Sequence, residues 1–321
     1  MKSAGRILVT PRSVTRDGHP SLARLEAAGH EVAFGPPGRQ PTEEELLHLL
    51  PDCVGYLAGV EPVTAGVLRG AGKLRAISRN GTGVDNVDLA TAAAQGIAVL
   101  RAEGANARGV AELALALMLA LARAIPECDA AMKAGGWQRS QGIELEGKTL
   151  GLLGWGRIGR LVGGFGAVLG MEVLAHDPMI PAGTVTTPAR LTSFAEVLTQ
   201  SDFLSLHCPP APGGQPLLDE AALTRMKPGV RIINTARFEL IDTKAMLHAL
   251  DHGHVAGLAL DVFDAEPPRD LSLVRHPRVI ATPHAGGFTR ESVDRAMDVA
   301  VDNILRALEN PGPTPRRASC P

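Results

Sequence analysis

The sequence predicts an α/β protein made of two doubly wound domains with parallel sheets. Three observations carry that expectation. Short aliphatic and β-branched runs alternate with segments of helical period along nearly the whole chain. These runs are continuously apolar rather than alternating with polar residues, which suits strands covered by helices on both faces. The chain has 321 residues and 45% apolar types, enough for two separate cores.

In chain order, a strand over 7–10 leads to a helix over 20–28, which Gly29 closes. A strand over 32–34 precedes a helix over 42–50, where Thr42 and Glu45 stand at capping-box spacing. The alternation continues through 54–58, 64–69, 74–78, 87–95 and 97–100. A longer helix over 107–124 is apolar nearly all round and is expected to be buried. After a polar stretch ending at Lys148, strands are expected at 149–153, 171–176, 203–206, 230–234, 255–259 and 279–281. A helix over 291–308 closes the fold, and the tail 311–321, with four prolines, is expected to lack fixed structure. No internal repeat is visible, and the second domain is expected to begin near residue 101.

The charge balance excludes some partners. Lys and Arg total 32 against 34 Asp and Glu, a net charge of −2, so no basic excess points to nucleic acid or to an anionic membrane. Cys53, Cys128, Cys208 and Cys320 are far apart and fit neither a metal-binding pattern nor a disulfide framework. Free thiols in a reducing cytoplasm are expected. The first residues run straight into a strand with no apolar signal region, and the uncharged stretch 113–122 is too short to span a bilayer. A cytoplasmic protein follows as the expectation.

Gly154, Gly156 and Gly159 form a G-x-G-x-x-G between a strand and a helix. The first glycine permits a tight turn, the second lets backbone approach a pyrophosphate, and the third lets helix and sheet pack closely. The anion then sits on the unpaired amides of the helix N-terminus. Asp177 ends the next strand, 18 residues beyond Gly159. An acid there bonds the ribose hydroxyls and repels a 2′-phosphate, which argues for NAD over NADP.

Three further polar residues lie just past consecutive strands, at the edge where open α/β sheets bind ligands: Arg237, Glu266 and His284. A guanidinium can hold a carboxylate bidentately, and an imidazole can give or take a proton near neutrality. A carboxylate on the second ring nitrogen would fix the tautomer and raise the pKa. Taken singly, each residue is unremarkable; Arg237 could equally serve as a helix-end cation.

In this order and spacing the motifs resemble the NAD-dependent D-isomer-specific 2-hydroxyacid dehydrogenases, and within them the phosphoglycerate dehydrogenase branch. Residues 79–88 (RNGTGVDNVD), 106–123 (NARGVAELALALMLALAR) and the glycine fingerprint with its Arg/Glu/His series carry the resemblance, which extends from about 53 to about 309. It implies a Rossmann-type cofactor domain over 101–287 and a flavodoxin-like, discontinuous substrate domain of 1–100 with 288–321. It also implies a crevice between them that closes on a small 2-hydroxy or 2-keto acid. His284 would be the acid/base, Glu266 its partner and Arg237 the carboxylate clamp. Backbone amides of Asn80, Gly81, Thr82 and Gly83 would hold the substrate carboxylate. Arg157, Ile158, Asp177, Cys208, Thr235, Ala236, Arg237, Asp261, Gly286 and Gly287 match positions lining the dinucleotide, and Thr82 reaches it from the other domain. The resemblance further implies a homodimer paired through the apolar helix.

The sequence departs from the family pattern at several points. Phe238 and Glu239 stand where two glycines usually follow the arginine; the aromatic ring either reshapes the pocket or points into a core. Glu61 stands in a loop where phosphoglycerate enzymes often present an arginine, and is expected to repel a phosphate, leaving Arg79 as the anion partner. Gly109 replaces a usual serine. The regulatory domain of longer phosphoglycerate dehydrogenases is expected to be missing. The sequence therefore leaves room for hydroxypyruvate or glyoxylate reduction, or for a non-catalytic dinucleotide-dependent binding module. A formate-type enzyme would carry glutamine in place of Glu266.

Overall fold

The computed structural model describes residues 5–210 and 213–309. The proline-rich tail and Cys320 lie outside the described residues. The chain divides into two compact units, Met1–Asn106 with Arg290–Pro321, and Ala107–Thr289.

In the first unit, strands β1 (Arg6–Val9), β2 (Glu31–Phe34), β3 (Cys53–Ala58), β4 (Ala76–Arg79) and β5 (Ala98–Arg101) form one parallel sheet in the order β2-β1-β3-β4-β5. Its two faces are both covered. Ile7 and Val9 pack with Met297, Val301 and Ile304 of the helix Arg290–Glu309. Leu8, between them, packs the other way, with Leu46 and Leu68. The helix Glu43–Leu49 has the expected capping box, with Thr42 Oγ1 accepting from the Glu45 N–H and the Glu45 carboxylate accepting from the Thr42 N–H. A cap of this kind contributes about 1 kcal/mol.

The second unit holds β6 (Thr149–Leu153), β7 (Glu172–His176), β8 (Val185–Thr186), β9 (Ala189–Leu191), β10 (Phe203–Leu206), β11 (Val230–Asn234), β12 (Val255–Leu260) and β13 (Val279–Ala281), in the order β13-β12-β11-β10-β6-β7-β9-β8. Every neighbouring pair is parallel except β8 and β9, which are antiparallel. The expected parallel sheet is present, with a short antiparallel hairpin added at this one edge. Successive residues again face opposite cores. Ile232, Leu258 and Leu260 pack with Leu223 and Met246, whereas Ile233 and Ala259 pack with Met118 and Val162. Chain order reverses direction between β6 and β10, so the carboxyl ends of these two strands flank the position where doubly wound sheets hold a ligand.

The helix Ala107–Arg123 is not buried all round as its composition suggests. Ala111, Ala114, Leu117 and Met118 enter the core, while Leu119 is 39% exposed on the outer face. Ala124, at φ 48°, breaks the helix and starts a second, Ile125–Lys133, that periodicity does not reveal. That helix buries none of its residues, so it has no apolar stripe to read. No single described helix is long and apolar enough to cross a membrane.

Candidate active site

The glycine turn follows β6. Gly154 has φ 100°, and a Cβ there would stand 2.5 Å from the His207 carbonyl oxygen at the end of β10. A Cβ on Gly159 would stand 2.1 Å from the Gly154 oxygen, so its absence lets the helix Arg157–Val168 sit close against the turn. Gly156 differs: a Cβ there would meet nothing within 4 Å. Two glycines are thus required by the chain itself, and the third leaves open space in front of the helix N-terminus. Arg157 lies exposed at that terminus, and Ile158 is half-buried against the core.

Asp177 is fixed beside this turn. One carboxylate oxygen accepts from the Trp155 N–H at 2.9 Å and the other from the Met179 N–H at 3.0 Å. Cys208 packs against Gly154; burial, with Asp177 adding to it, pushes its thiol up to about 11. It is therefore a protonated, partly buried thiol packed against the core rather than a nucleophile. Nothing in the sequence singles out His207. Burial pushes its imidazole down to about 3, and its Nε2 lies 2.9 Å from Ser205 Oγ, so a neutral ring underlies the turn. Thr235 Oγ1 is buried with no hydrogen-bond partner among the described residues. An orphaned hydroxyl and an open helix N-terminus on one sheet edge fit a dinucleotide with hydrogen-bonding groups along its length.

Arg237, Glu266 and His284 all lie in the second unit. Arg237 caps the short 3-10 turn Phe238–Leu240, and its Nη1 donates to the Ala236 oxygen at 2.8 Å. Phe238 is partly buried and packs against the apolar core; Glu239 is exposed. His284 Nδ1 lies 2.6 Å from Glu266 Oε1, with the two side chains 52% and 40% exposed. The hydrogen bond from Glu266 raises the pKa of His284 above its usual 6.5; burial and the nearby Arg237 charge work against it.

His284 adopts φ 51°, a left-handed conformation unusual for a side-chain-bearing residue. The turn around it is clamped by Asp261, which is 2% exposed. The Asp261 carboxylate accepts from Thr282 Oγ1 at 2.6 Å, the Ala285 N–H at 2.7 Å and the Gly286 N–H at 2.8 Å. Gly286 suits that place because a Cβ would stand 3.0 Å from the carboxylate; Gly287 is half-buried beside it.

In the first unit, Arg79 ends β4, and Asn80, Gly81, Thr82 and Gly83 follow it. Arg79 Nε donates to Asn86 Oδ1 at 3.1 Å and its Nη1 to the Asn80 oxygen at 3.2 Å, so the guanidinium braces its own loop. The Asn80 and Gly81 amides donate to the Ala58 and Arg79 carbonyls. Half of the amides expected to face a carboxylate are therefore committed within the chain. Glu61 is fully buried, and one of its oxygens accepts from Tyr56 Oη at 2.5 Å, the Gly59 N–H at 2.8 Å and Thr10 Oγ1. The expected repulsion presumed a carboxylate on display; three donors hold this one inward.

Residues 115–286 match the family model described as D-isomer specific 2-hydroxyacid dehydrogenase, NAD binding domain. The chain is 42% identical over 258 residues to the D-3-phosphoglycerate dehydrogenase of Rattus norvegicus, covering 79% of this chain and 48% of that protein. It therefore spans about half the length of such curated relatives. Among solved structures, the TT0316 protein from Thermus thermophilus superposes with a TM-score of 0.85 at 37% identity, covering 97% of this chain and 99% of that one. A glyoxylate reductase from Paecilomyes thermophila gives a TM-score of 0.84 at 29% identity, with 97% of each chain covered. With over half of its length in the family's NAD-binding region, and relatives above 40% identity across most of the chain, the protein belongs to the D-isomer specific 2-hydroxyacid dehydrogenase family.

Proposed function

We propose that the chain is an NAD-dependent D-2-hydroxyacid dehydrogenase whose substrate pair is 3-phosphoglycerate and its 2-keto counterpart. The observation that carries this reading is the 2.6 Å contact between His284 Nδ1 and Glu266 Oε1. With Nδ1 held by a carboxylate, Nε2 is the nitrogen left to exchange a proton with substrate.

When bound, the dinucleotide supplies a hydride to the keto carbon or removes one from the hydroxy carbon. The remaining roles belong to the chain. Arg237 holds the substrate carboxylate through its planar fork. His284 Nε2 gives a proton to the carbonyl oxygen during reduction and takes it back during oxidation. Glu266 stabilises the imidazolium. Asp177 accepts bonds from the adenosine ribose, and Gly156 with the amides at the start of the helix Arg157–Val168 faces the pyrophosphate. The phosphorylated substrate follows the identity to phosphoglycerate dehydrogenases.

We also propose a homodimer in the cytoplasm. Leu119, Ile125, Met132, Trp137 and Val168 are 39–88% exposed within the second unit, an apolar set that a partner copy would cover. Cys53, Cys128 and Cys208 are free thiols, as a reducing compartment allows.

His284→Ala is expected to lower kcat by about 100-fold or more while NADH affinity, read by fluorescence titration, stays nearly unchanged. Because Glu266 raises the His284 pKa, its protonated form persists above pH 6.5. The reductive rate then falls as pH passes that raised pKa, whereas the oxidative rate climbs over the same range. Asp177→Ser narrows the preference for NADH over NADPH by about tenfold or more, read as a ratio of kcat/KM values. Across a panel of 2-keto acids, the phosphorylated three-carbon acid gives the highest kcat/KM, and preference for glyoxylate or hydroxypyruvate would contradict the substrate assignment. Light scattering at micromolar concentration gives twice the 33.6 kDa chain mass.

A further inference from the structure

A carboxylate clamp at Arg237 is served by a backbone that is held still, and among the described residues a buried side chain is placed to do so. Asn234, the last residue of β11, is 0% exposed. Its Oδ1 accepts from the Ala236 N–H at 3.0 Å, and its Nδ2 donates to the Arg237 carbonyl oxygen at 2.8 Å. One amide therefore bridges the whole turn from strand end to arginine, using a donor and an acceptor at once. The Asn234 carbonyl is itself fixed by the Asp261 N–H at 3.0 Å, which ties the bridge to the next strand.

The other side of Arg237 is anchored as well. Its carbonyl also receives the Leu240 N–H at 3.4 Å, and Phe238 packs against the core. The arginine sits in extended backbone, at φ −144° and ψ 141°, between these two supports. The Asn234 amide thus braces the turn that carries Arg237 at two points, the Ala236 N–H and the Arg237 carbonyl.

We propose that Asn234 is a positioning residue for substrate binding, acting through Arg237. The proposal rests on the reading of Arg237 as the carboxylate clamp. The bridge needs a side chain that both donates and accepts, because the strand ladder satisfies only the backbone of Asn234. Aspartate is the discriminating replacement: it keeps the volume and the bond to the Ala236 N–H but sets a second acceptor against the Arg237 oxygen.

The test is a double-mutant cycle with Asn234→Asp, Asn234→Ala, Arg237→Ala and the combined Asn234→Ala/Arg237→Ala, read as KM and kcat for the 2-keto acid and as Kd for NADH by fluorescence. Both Asn234 variants are expected to raise KM by about tenfold or more, with NADH Kd within about threefold of wild type. In the Arg237→Ala background, Asn234→Ala should add less than about twofold, because the residue it positions is gone. Additive effects in the double variant would overturn the proposal, as would a loss of NADH affinity matching the rise in KM. Failure of both Asn234 variants to fold, read by circular dichroism, would assign the side chain to the fold alone and overturn it too. If Arg237→Ala itself leaves KM unchanged, it is the clamp that fails, a result distinct from the others.

Discussion

A parallel strand covered by helices on both faces can carry a buried polar side chain only where its polar atoms find partners, and this constraint organises the second unit. Asn234 ends β11 at 0% exposure, and Asp261 follows β12 at 2% exposure. Leaving either with an unmet donor or acceptor costs about 1–3 kcal/mol, more for a charge, so each must commit its polar atoms to nearby backbone. The backbone they bind is that of the loops bearing Arg237 and His284. Satisfying a buried polar group and holding a reactive side chain in place are here one and the same act.

The electrostatics of the site follow from the same arrangement. His284 is held through its turn by Asp261 and through its ring by Glu266, and both carboxylates favour the imidazolium while Arg237 opposes it. His207, by contrast, lies under the glycine turn, where burial alone acts on it and keeps it neutral. Two imidazoles of one unit are thus driven in opposite directions by their surroundings. The raised one keeps its proton to a higher pH than an ordinary imidazole, and the lowered one gives its proton up.

Much of this is legible in the sequence where chemistry and spacing coincide. Glycine leaves a readable trace because its use is a backbone demand, and Gly154 and Gly159 stand where a Cβ could not. The capping box at Thr42 is equally visible because both of its bonds are local. What stays hidden depends on contacts distant in sequence or on direction. Asn234 looks like the tail of an apolar strand until its amide is seen to bridge the following turn. Glu61 reads as a repulsive surface charge, yet Thr10 and Tyr56, from elsewhere in the chain, turn it inward. Phe238 could face the pocket or the core on sequence grounds, and it packs, partly buried, against the core. The two-residue β8 is too short to show any period.

The proposed chemistry requires Glu266 to make His284 the proton carrier. A titration of the His284 ring by heteronuclear NMR in the cofactor-free protein tests this directly, comparing wild type with Glu266→Gln. The account predicts a pKa above 6.5 in wild type that falls clearly in the variant. An unshifted wild-type ring, or one indifferent to loss of the carboxylate, would contradict it.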